Sequence, residues 1–458
     1  MAAEDVQITC KFYTKLPAEL KAPETAVTVP AKLTRYGLSQ VVNHLLGLDP
    51  PKAFDFLVNG ELVRLSLEQL LLANSVSAEA VLEVEYFLAV VPPDAQQTLP
   101  HDDWVSAVDG SRADALVSGS YDGMLRIWTG AGACISSVRA HRGPVHAVAA
   151  LPRAHGAALL SAGKDHIIRL MRAPGLDAAA SRTNPAHQAN EAAPPMEPLE
   201  VAAVYRGHTD AVESLAPSPA GDLCASGSWD ASIRVWRTGT AVLDASEDAA
   251  AGAAEAPPLS RSAKKRKAAV DGGDDAMAVP AAPLEEAARA TLAGHSQCVA
   301  TVAWPSPGVL YSGSWDHSVR RWDVGSGANT DTLNASKAVY CVAAPPEGAG
   351  AGLVAFGGAE RVLRLWDPRT APGEALAKRG FTSHGDWITA AAWHPTSAHH
   401  LATASFDCSA KLWDLRALVP LHTLAAHTDK ALAVSWAGPA RLASGGADCA
   451  LRTFGVSL

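Results

Sequence analysis

The chain has 458 residues, a formal net charge of −9 and 48% apolar side chains, enough for one large and one small packed domain. An acidic chain of this kind is not a generic nucleic-acid binder, so any RNA contact has to be local. It holds no long uncharged apolar run, and the opening Met-Ala-Ala-Glu-Asp lacks the basic and apolar regions of a leader, so a soluble, intracellular protein without a membrane partner is expected.

Residues 6–13 alternate apolar and polar and read as a strand, and a second strand is expected over 26–30. Leu38, Val41, Val42, Leu45 and Leu46 then fall on one face of a helix that Gly47 closes. Phe54, Phe56 and Val58 alternate into Asn59-Gly60, a strong hairpin-turn signal, and Leu62 resumes the strand. A short helix over 67–72 and a strand through Leu82, Val84 and Tyr86 complete the order of a ubiquitin-like β-grasp domain over residues 1–86. No Gly-Gly tail follows Tyr86, so this domain is a docking surface and not a conjugated tag.

Beyond it, one unit recurs. A strand of small residues ends at a turn with an acidic pivot, and a second strand carries a large side chain six residues after that pivot. The pivots are Asp122, Asp165, Asp230, Asp316, Glu360, Asp407 and Asp448. The large residues are Trp128, Met171, Trp236, Trp322, Trp366, Trp413 and Phe454. Four residues after each pivot stands Arg126, Arg169, Arg234, Arg320, Arg364, Lys411 or Arg452. His101, His141, His208, His295, His384 and His427 lie 21 to 24 residues before six of the pivots. A carboxylate at a tight turn accepts backbone N–H groups and fixes a hairpin. Four of the spacings between pivots are 41 to 47 residues, the period of a four-stranded propeller blade.

These units resemble the WD-repeat family. The expected fold is mainly β: the β-grasp domain followed by a seven-bladed WD-repeat propeller over 87–458. Few residues follow the last unit, so the seventh blade is expected to borrow its outer strand from the apolar run 87–91, closing the ring. Blade five carries Glu360 and has Phe356 where the others have Ser or Thr, so it is expected to fold by packing alone with a looser turn. The long spacings carry segments poor in large apolar groups, about 173–199 and 239–286, which read as disordered insertions. The cysteines Cys10, Cys134, Cys224, Cys298, Cys341, Cys408 and Cys449 follow the blades without a C-x-x-C pair and read as reduced thiols.

Arg35-Tyr36-Gly37-Leu38-Ser39, Val42-Asn43-His44-Leu45-Leu46, Phe54-Asp55-Phe56-Leu57 and Asp103-Trp104-Val105-Ser106 narrow the resemblance. They are similar to the WD-repeat subunits of the PeBoW complex, in which an N-terminal ubiquitin-like (NLE) domain precedes the propeller. That resemblance implies a non-enzymatic scaffold for assembly of the large (60S) ribosomal subunit and maturation of its rRNA, in the nucleolus and nucleoplasm. The implied partners are pescadillo, the block-of-proliferation protein, the pre-60S particle and midasin, the AAA ATPase that strips factors from pre-ribosomes.

The recurring His, Ser and Asp could suggest a hydrolase, but a triad repeated at fixed spacing to an aromatic is scaffolding. No phosphate-binding loop, metalloprotease or nucleophile-elbow motif is present, so no catalysis and no cofactor or metal of its own are expected. Lys264, Lys265, Arg266 and Lys267 form a dense basic run in the second insertion and read as a nuclear-import signal, with RNA contact weaker because of nearby Asp271, Asp274 and Asp275. Glu79, in a polar loop of the first domain, matches the glutamate that the family is implied to place on a metal held by the MIDAS domain of midasin. A carboxylate suits that task as a hard oxygen ligand to a magnesium-type ion. The alternative reading is a substrate receptor of a cullin ubiquitin ligase, suggested by the W-D-x-R boxes Trp366-Asp367-Pro368-Arg369 and Trp413-Asp414-Leu415-Arg416.

Overall fold

The computed structural model describes every residue except 1–5, 24, 74–80, 113–114, 175, 177–198, 241, 245–282, 346–351 and 371–375. The N-terminal alternation forms β1 (Gln7–Tyr13), paired antiparallel with β2 (Ala26–Pro30). Helix α1 (Arg35–Leu46) ends at Gly47, whose left-handed φ of 62° lets its N–H reach the carbonyls of Asn43 and His44. β3 (Phe54–Val58) turns through Asn59 and Gly60, at φ of 51° and 80°, into β4 (Glu61–Leu62). After α2 (Leu67–Ala73), β5 (Leu82–Leu88) lies beside β1 in parallel, giving the sheet order β2-β1-β5-β3-β4. Phe12, Phe54, Phe56 and Tyr86 fill the core between this sheet and the buried Leu38 and Val42 of α1.

β3 does not alternate as expected: all five of its residues are buried. Its second face is covered too, because Leu57 packs against Ala417 of the following domain and Asp55 is held by Arg35 Nε at 2.6 Å.

The rest of the described chain forms seven sheets in a ring, antiparallel except for one added strand of the second. Their first strands are Val105–Asp109, Val145–Ala150, Val212–Pro217, Val299–Ser306, Val339–Ala343, Ile388–Trp393 and Ala431–Trp436. Each first strand packs against the next, and the seventh returns to the first. The aromatics on the third strands fill the spaces between sheets: Trp236 packs with Leu160 and Tyr205 of the preceding sheet, and Trp322 with Ile233 and Val235.

Four further expectations are corrected. The strand that completes the seventh sheet is β6 (Val91–Pro100), paired with Ala450–Ser457, and not 87–91. Phe87 and Leu88 instead extend β5 against Asp55 and Phe54, so the first domain reaches Leu88 rather than stopping at 86. Pro92 and Pro93 are tolerated in β6 because it is an edge strand, where a missing N–H need break no ladder bond.

The insertions are also shorter than 173–199 and 239–286. Ala173, Leu176 and Leu199 are buried between the first and second sheets, and Val242 and Leu243 between the second and third. Leu284–Glu286 pairs in parallel with Glu200–Tyr205 and gives the second sheet a fifth strand. Isolated apolar residues in a polar stretch were enough to anchor both ends.

The turn of the fifth sheet is not looser. Arg361 adopts φ 66° there, as do His166, Ala231, His317, Cys408 and Cys449 at the matching places, within 57° to 68°. Glu360 is held by Arg364, its Oε2 accepting from Nε at 2.8 Å. An ion pair replaces the hydrogen-bonded histidine, so packing does not act alone.

Candidate functional site

Each pivot is a node of a hydrogen-bond chain whose direction follows from its donors. In the third sheet Trp236 Nε1–H donates to Ser226 Oγ at 2.8 Å, leaving the serine proton to bond His208 Nε2 at 2.7 Å. His208, assigned as the neutral Nδ1–H tautomer on this network, then donates to Asp230 Oδ2 at 2.8 Å. The fourth sheet repeats the chain through Trp322, Ser312, His295 and Asp316, and the sixth through Trp413, Thr403, His384 and Asp407. His141 and His427 make the same links to Asp165 and Asp448, where Met171 and Phe454 supply no indole.

The first sheet departs from this. His101 turns its Nδ1 to the carbonyl of Leu99, at 3.1 Å, and leaves Asp122 to Ser120 and Arg126. Burial lowers the His101 pKa to about 4. In the other sheets, burial by itself would raise the carboxylates, yet hydrogen bonds from Ser409 and His384 hold Asp407 at about 2. Every donor in these chains is already satisfied by its neighbour. They brace the turns, with the His and Ser or Thr members buried in the ring.

A second face is more open. Tyr121, His146, Glu213, Trp315, Tyr340, Trp387 and Phe406 line one mouth of the central cavity, which is about 700 Å³. They belong to a line of side chains that crosses all seven sheets. Trp104 meets Tyr121 (ring centres 5.3 Å) and Tyr121 meets His146 (5.8 Å). Glu213 Oε2 joins His146 Nδ1 at 3.0 Å to Trp229 Nε1 at 2.9 Å. Trp229 then meets Trp315 at 5.2 Å, Trp315 meets Tyr340 at 6.2 Å, and Tyr340 meets Trp387 at 5.4 Å. Trp387 stacks on Phe406, and Lys430 Nζ of the seventh sheet lies 4.8 Å from the Phe406 ring centre. The sequence reading missed this line. Its signals were an aromatic just before four pivots (Tyr121, Trp229, Trp315, Phe406) and the Asp-Trp pairs at 103–104 and 386–387.

The first domain is docked on the sixth sheet. Leu62 N–H donates to the Arg416 carbonyl at 3.1 Å, and the Arg416 guanidinium sits 5.3 Å from the Phe87 ring centre. Arg416 is oriented by the buried Asp414, Nη2 to Oδ2 at 2.7 Å, while Leu57 and Leu62 bury against Ala417. One W-D-x-R box is thus engaged within the chain; Arg369 of the other pairs with Asp367 and stays exposed. Glu79 and the basic run Lys264–Lys267 lie outside the described residues. Leu72 and Val81, on either side of the segment that holds Glu79, are exposed.

Among the described residues no group of three or more His, Cys, Asp or Glu could hold a metal ion, and no helix is long and apolar enough to cross a membrane. The seven cysteines are free thiols, with burial pushing Cys224 and Cys341 up to about 12.

Comparison with known proteins bears on both domains. The NLE (NUC135) domain profile matches residues 8–71. The profile described as WD domain, G-beta repeat matches 94–129, 199–237, 287–323 and 376–414. Those four segments end around Trp128, Trp236, Trp322 and Trp413, the four indoles that donate to a Ser or Thr hydroxyl. The chain is 48% identical over 470 residues to "Ribosome biogenesis protein WDR12 homolog" of Chlamydomonas reinhardtii, covering 99% of this chain and 98% of the relative. It is 38% identical over 457 residues to the protein of the same name from Arabidopsis thaliana, covering 98% and 97%. Against "Ribosome biogenesis protein YTM1" of Saccharomyces cerevisiae it is 30% identical over 463 residues, covering 98% and 97%.

Proposed function

The chain belongs to the family of ribosome biogenesis proteins WDR12 and YTM1, and on that premise we propose that it is a non-enzymatic scaffold in assembly of the large ribosomal subunit. The observation that carries the reading is full-length similarity to these relatives, through an NLE domain and WD repeats in the same order. In this reading the ring is a seven-bladed propeller that binds PeBoW partners, pescadillo and the block-of-proliferation protein, and seats the protein on the pre-60S particle. The first domain is a ubiquitin-like handle for midasin. The protein works in the nucleolus and nucleoplasm, with Lys264, Lys265, Arg266 and Lys267 as its import signal.

Glu79 is the ligand this reading gives to the partner's metal. Two features support a handle at that end of the domain. The exposed Leu72 and Val81 offer apolar contact beside the carboxylate. The backbone bond from Leu62 to Arg416 and the buried Leu57 and Leu62 tie the domain to the ring, so a pull on one loads the other.

The test is binding of the full chain to the MIDAS domain of midasin with magnesium present, comparing wild type with Glu79→Asp. One methylene less retracts the carboxylate by about 1.5 Å at unchanged charge, and a magnesium-type ion demands bonds of about 2.0–2.1 Å. Glu79→Asp is expected to lose binding. Equal binding would return Glu79 to an ordinary surface residue.

A further inference from the structure

We propose that the aromatic rim of the ring is a docking surface for a protein segment that presents arginine side chains. This goes beyond the function above and stands on the ring alone, whether or not the first domain engages an ATPase.

Three tryptophans on this rim stay in solvent: Trp104 is 38% exposed, Trp229 45% and Trp387 40%. An indole left exposed in a ring that buries Trp236, Trp322 and Trp413 costs hydrophobic free energy that a partner would recover. Each exposed indole has a carboxylate fixed beside it. Asp103 Oδ1 accepts from the backbone N–H of Trp104 at 2.8 Å, and Asp386 Oδ1 from that of Trp387 at 2.9 Å. Glu213 Oε2 accepts from the indole N–H of Trp229 itself.

An aromatic face with a carboxylate at its edge selects one side chain above others. A guanidinium is planar, stacks on the indole, and still turns its N–H fork to the acid; an ammonium is compact, strongly hydrated and gains less from stacking. The chain already uses this pairing once, with Arg416 over Phe87 at the domain contact, and on the rim itself the Lys430 ammonium lies over Phe406. On the same wall, Trp315 Nε1, His146 Nε2 and Ser214 Oγ are buried without a hydrogen-bond partner, and all three residues line the cavity. A docked segment supplies backbone carbonyls to the Trp315 indole N–H and the Ser214 hydroxyl, and a backbone N–H to His146 Nε2. RNA could also stack on aromatic faces, but the acids beside these indoles would repel its phosphates. Of the exposed cations at this end, Arg142 and Lys164 stand on the second sheet, which carries no tryptophan, Lys337 and Arg361 on the fifth, where Arg361 Nη2 lies 3.8 Å from Asp386 Oδ1, and Lys430 on the seventh over Phe406.

The test uses the full chain with a short glycine-serine peptide carrying arginines, its lysine and citrulline counterparts, and single-stranded oligouridine, read by tryptophan fluorescence and calorimetry. The arginine peptide should bind saturably, weaken with salt, and lose affinity about tenfold on Trp387→Ala or Asp386→Asn. Trp387→Phe should restore most of the loss, and Arg153→Ala on another surface should change nothing. Unchanged thermal melting would show that the variants remain folded. No binding of the arginine peptide, equal binding of the citrulline or lysine peptide, tighter binding of oligouridine, or indifference to Trp387→Ala would each overturn the proposal.

Discussion

Ser232 Oγ lies 2.6 Å from Asp230 Oδ1, and Arg234, two residues on, makes no ion pair with that carboxylate. The same holds where Ser318 bonds Asp316 and Ser409 bonds Asp407. Where the serine is replaced by Met124, Ile167, Val362 or Ala450, the basic residue reaches the pivot instead: Arg126 to Asp122 at 3.2 Å, Arg169 to Asp165 at 3.0 Å, Arg452 to Asp448 at 2.5 Å, and Arg364 to Glu360. A short hydroxyl and a long cation thus compete for one place on the carboxylate.

The competition is measurable. Ser232→Ala should cost about 1 kcal/mol, the net worth of one hydrogen bond. Part of that loss is offset as Arg234 turns to Asp230. The pair Ser232→Ala with Arg234→Met should therefore destabilise by more than the sum of the single changes in a double-mutant cycle. Strict additivity in chemical denaturation would show that the two side chains do not share the site.

Trp236→Ala should destabilise by about 3–5 kcal/mol, the range for truncating a buried large aromatic. Trp236 is 1% exposed, touches Tyr205 of the preceding sheet, and satisfies Ser226. A melting temperature equal to wild type would mean that the sheets do not depend on this contact.

The residue after each pivot is left-handed, but only the first turn uses glycine. A Cβ on Gly123 would come within 2.4 Å of the His141 carbonyl, so Gly123→Ala should cost more than about 1 kcal/mol. Ala231, at φ 62°, is the reverse case, and Ala231→Gly should be neutral or raise the melting temperature. Opposite signs in calorimetry are the expected outcome; equal destabilisation would contradict it.

Acid should unfold the ring in two stages. Burial lowers the pKa of His141, His295, His384 and His427, and takes His101 to about 4. The folded state therefore resists protons that the unfolded chain takes up near 6.5. The histidine contribution is whole above about 6.5 and fades as pH falls. Asp165, Asp316 and Asp407 are held at about 2 against burial, mainly by His and Ser hydrogen bonds, so their contribution persists down to about 4 and is lost toward 2. The melting temperature should fall between pH 6.5 and 4, then faster below 4. A flat profile from pH 7 to 4 would mean that these histidines are not buried as neutral groups.

The repeats were legible because each unit states its turn, its carboxylate and its filler within a few residues, a local pattern that survives as sequence. What failed to show was the choice between two partners of similar local character. Phe87 and Leu88 suit a ring strand as well as β5, and only their register against Asp55 and Phe54 decides it. The anchors Leu176, Val242 and Leu243 look like stray apolar residues until the neighbouring sheets supply their pocket. The aromatic rim was hidden for the same reason, since its members are far apart in sequence and meet only when the ring closes.

The central claim is that the protein rides on precursors of the large ribosomal subunit. Sedimentation of the tagged full-length chain from cell extract tests it most directly. The account predicts that it migrates with the 60S precursor peak, and that Glu79→Asp stays there because it enters the particle but is not pulled out. Migration as a free protein, or with cullin-adaptor complexes, would contradict the account.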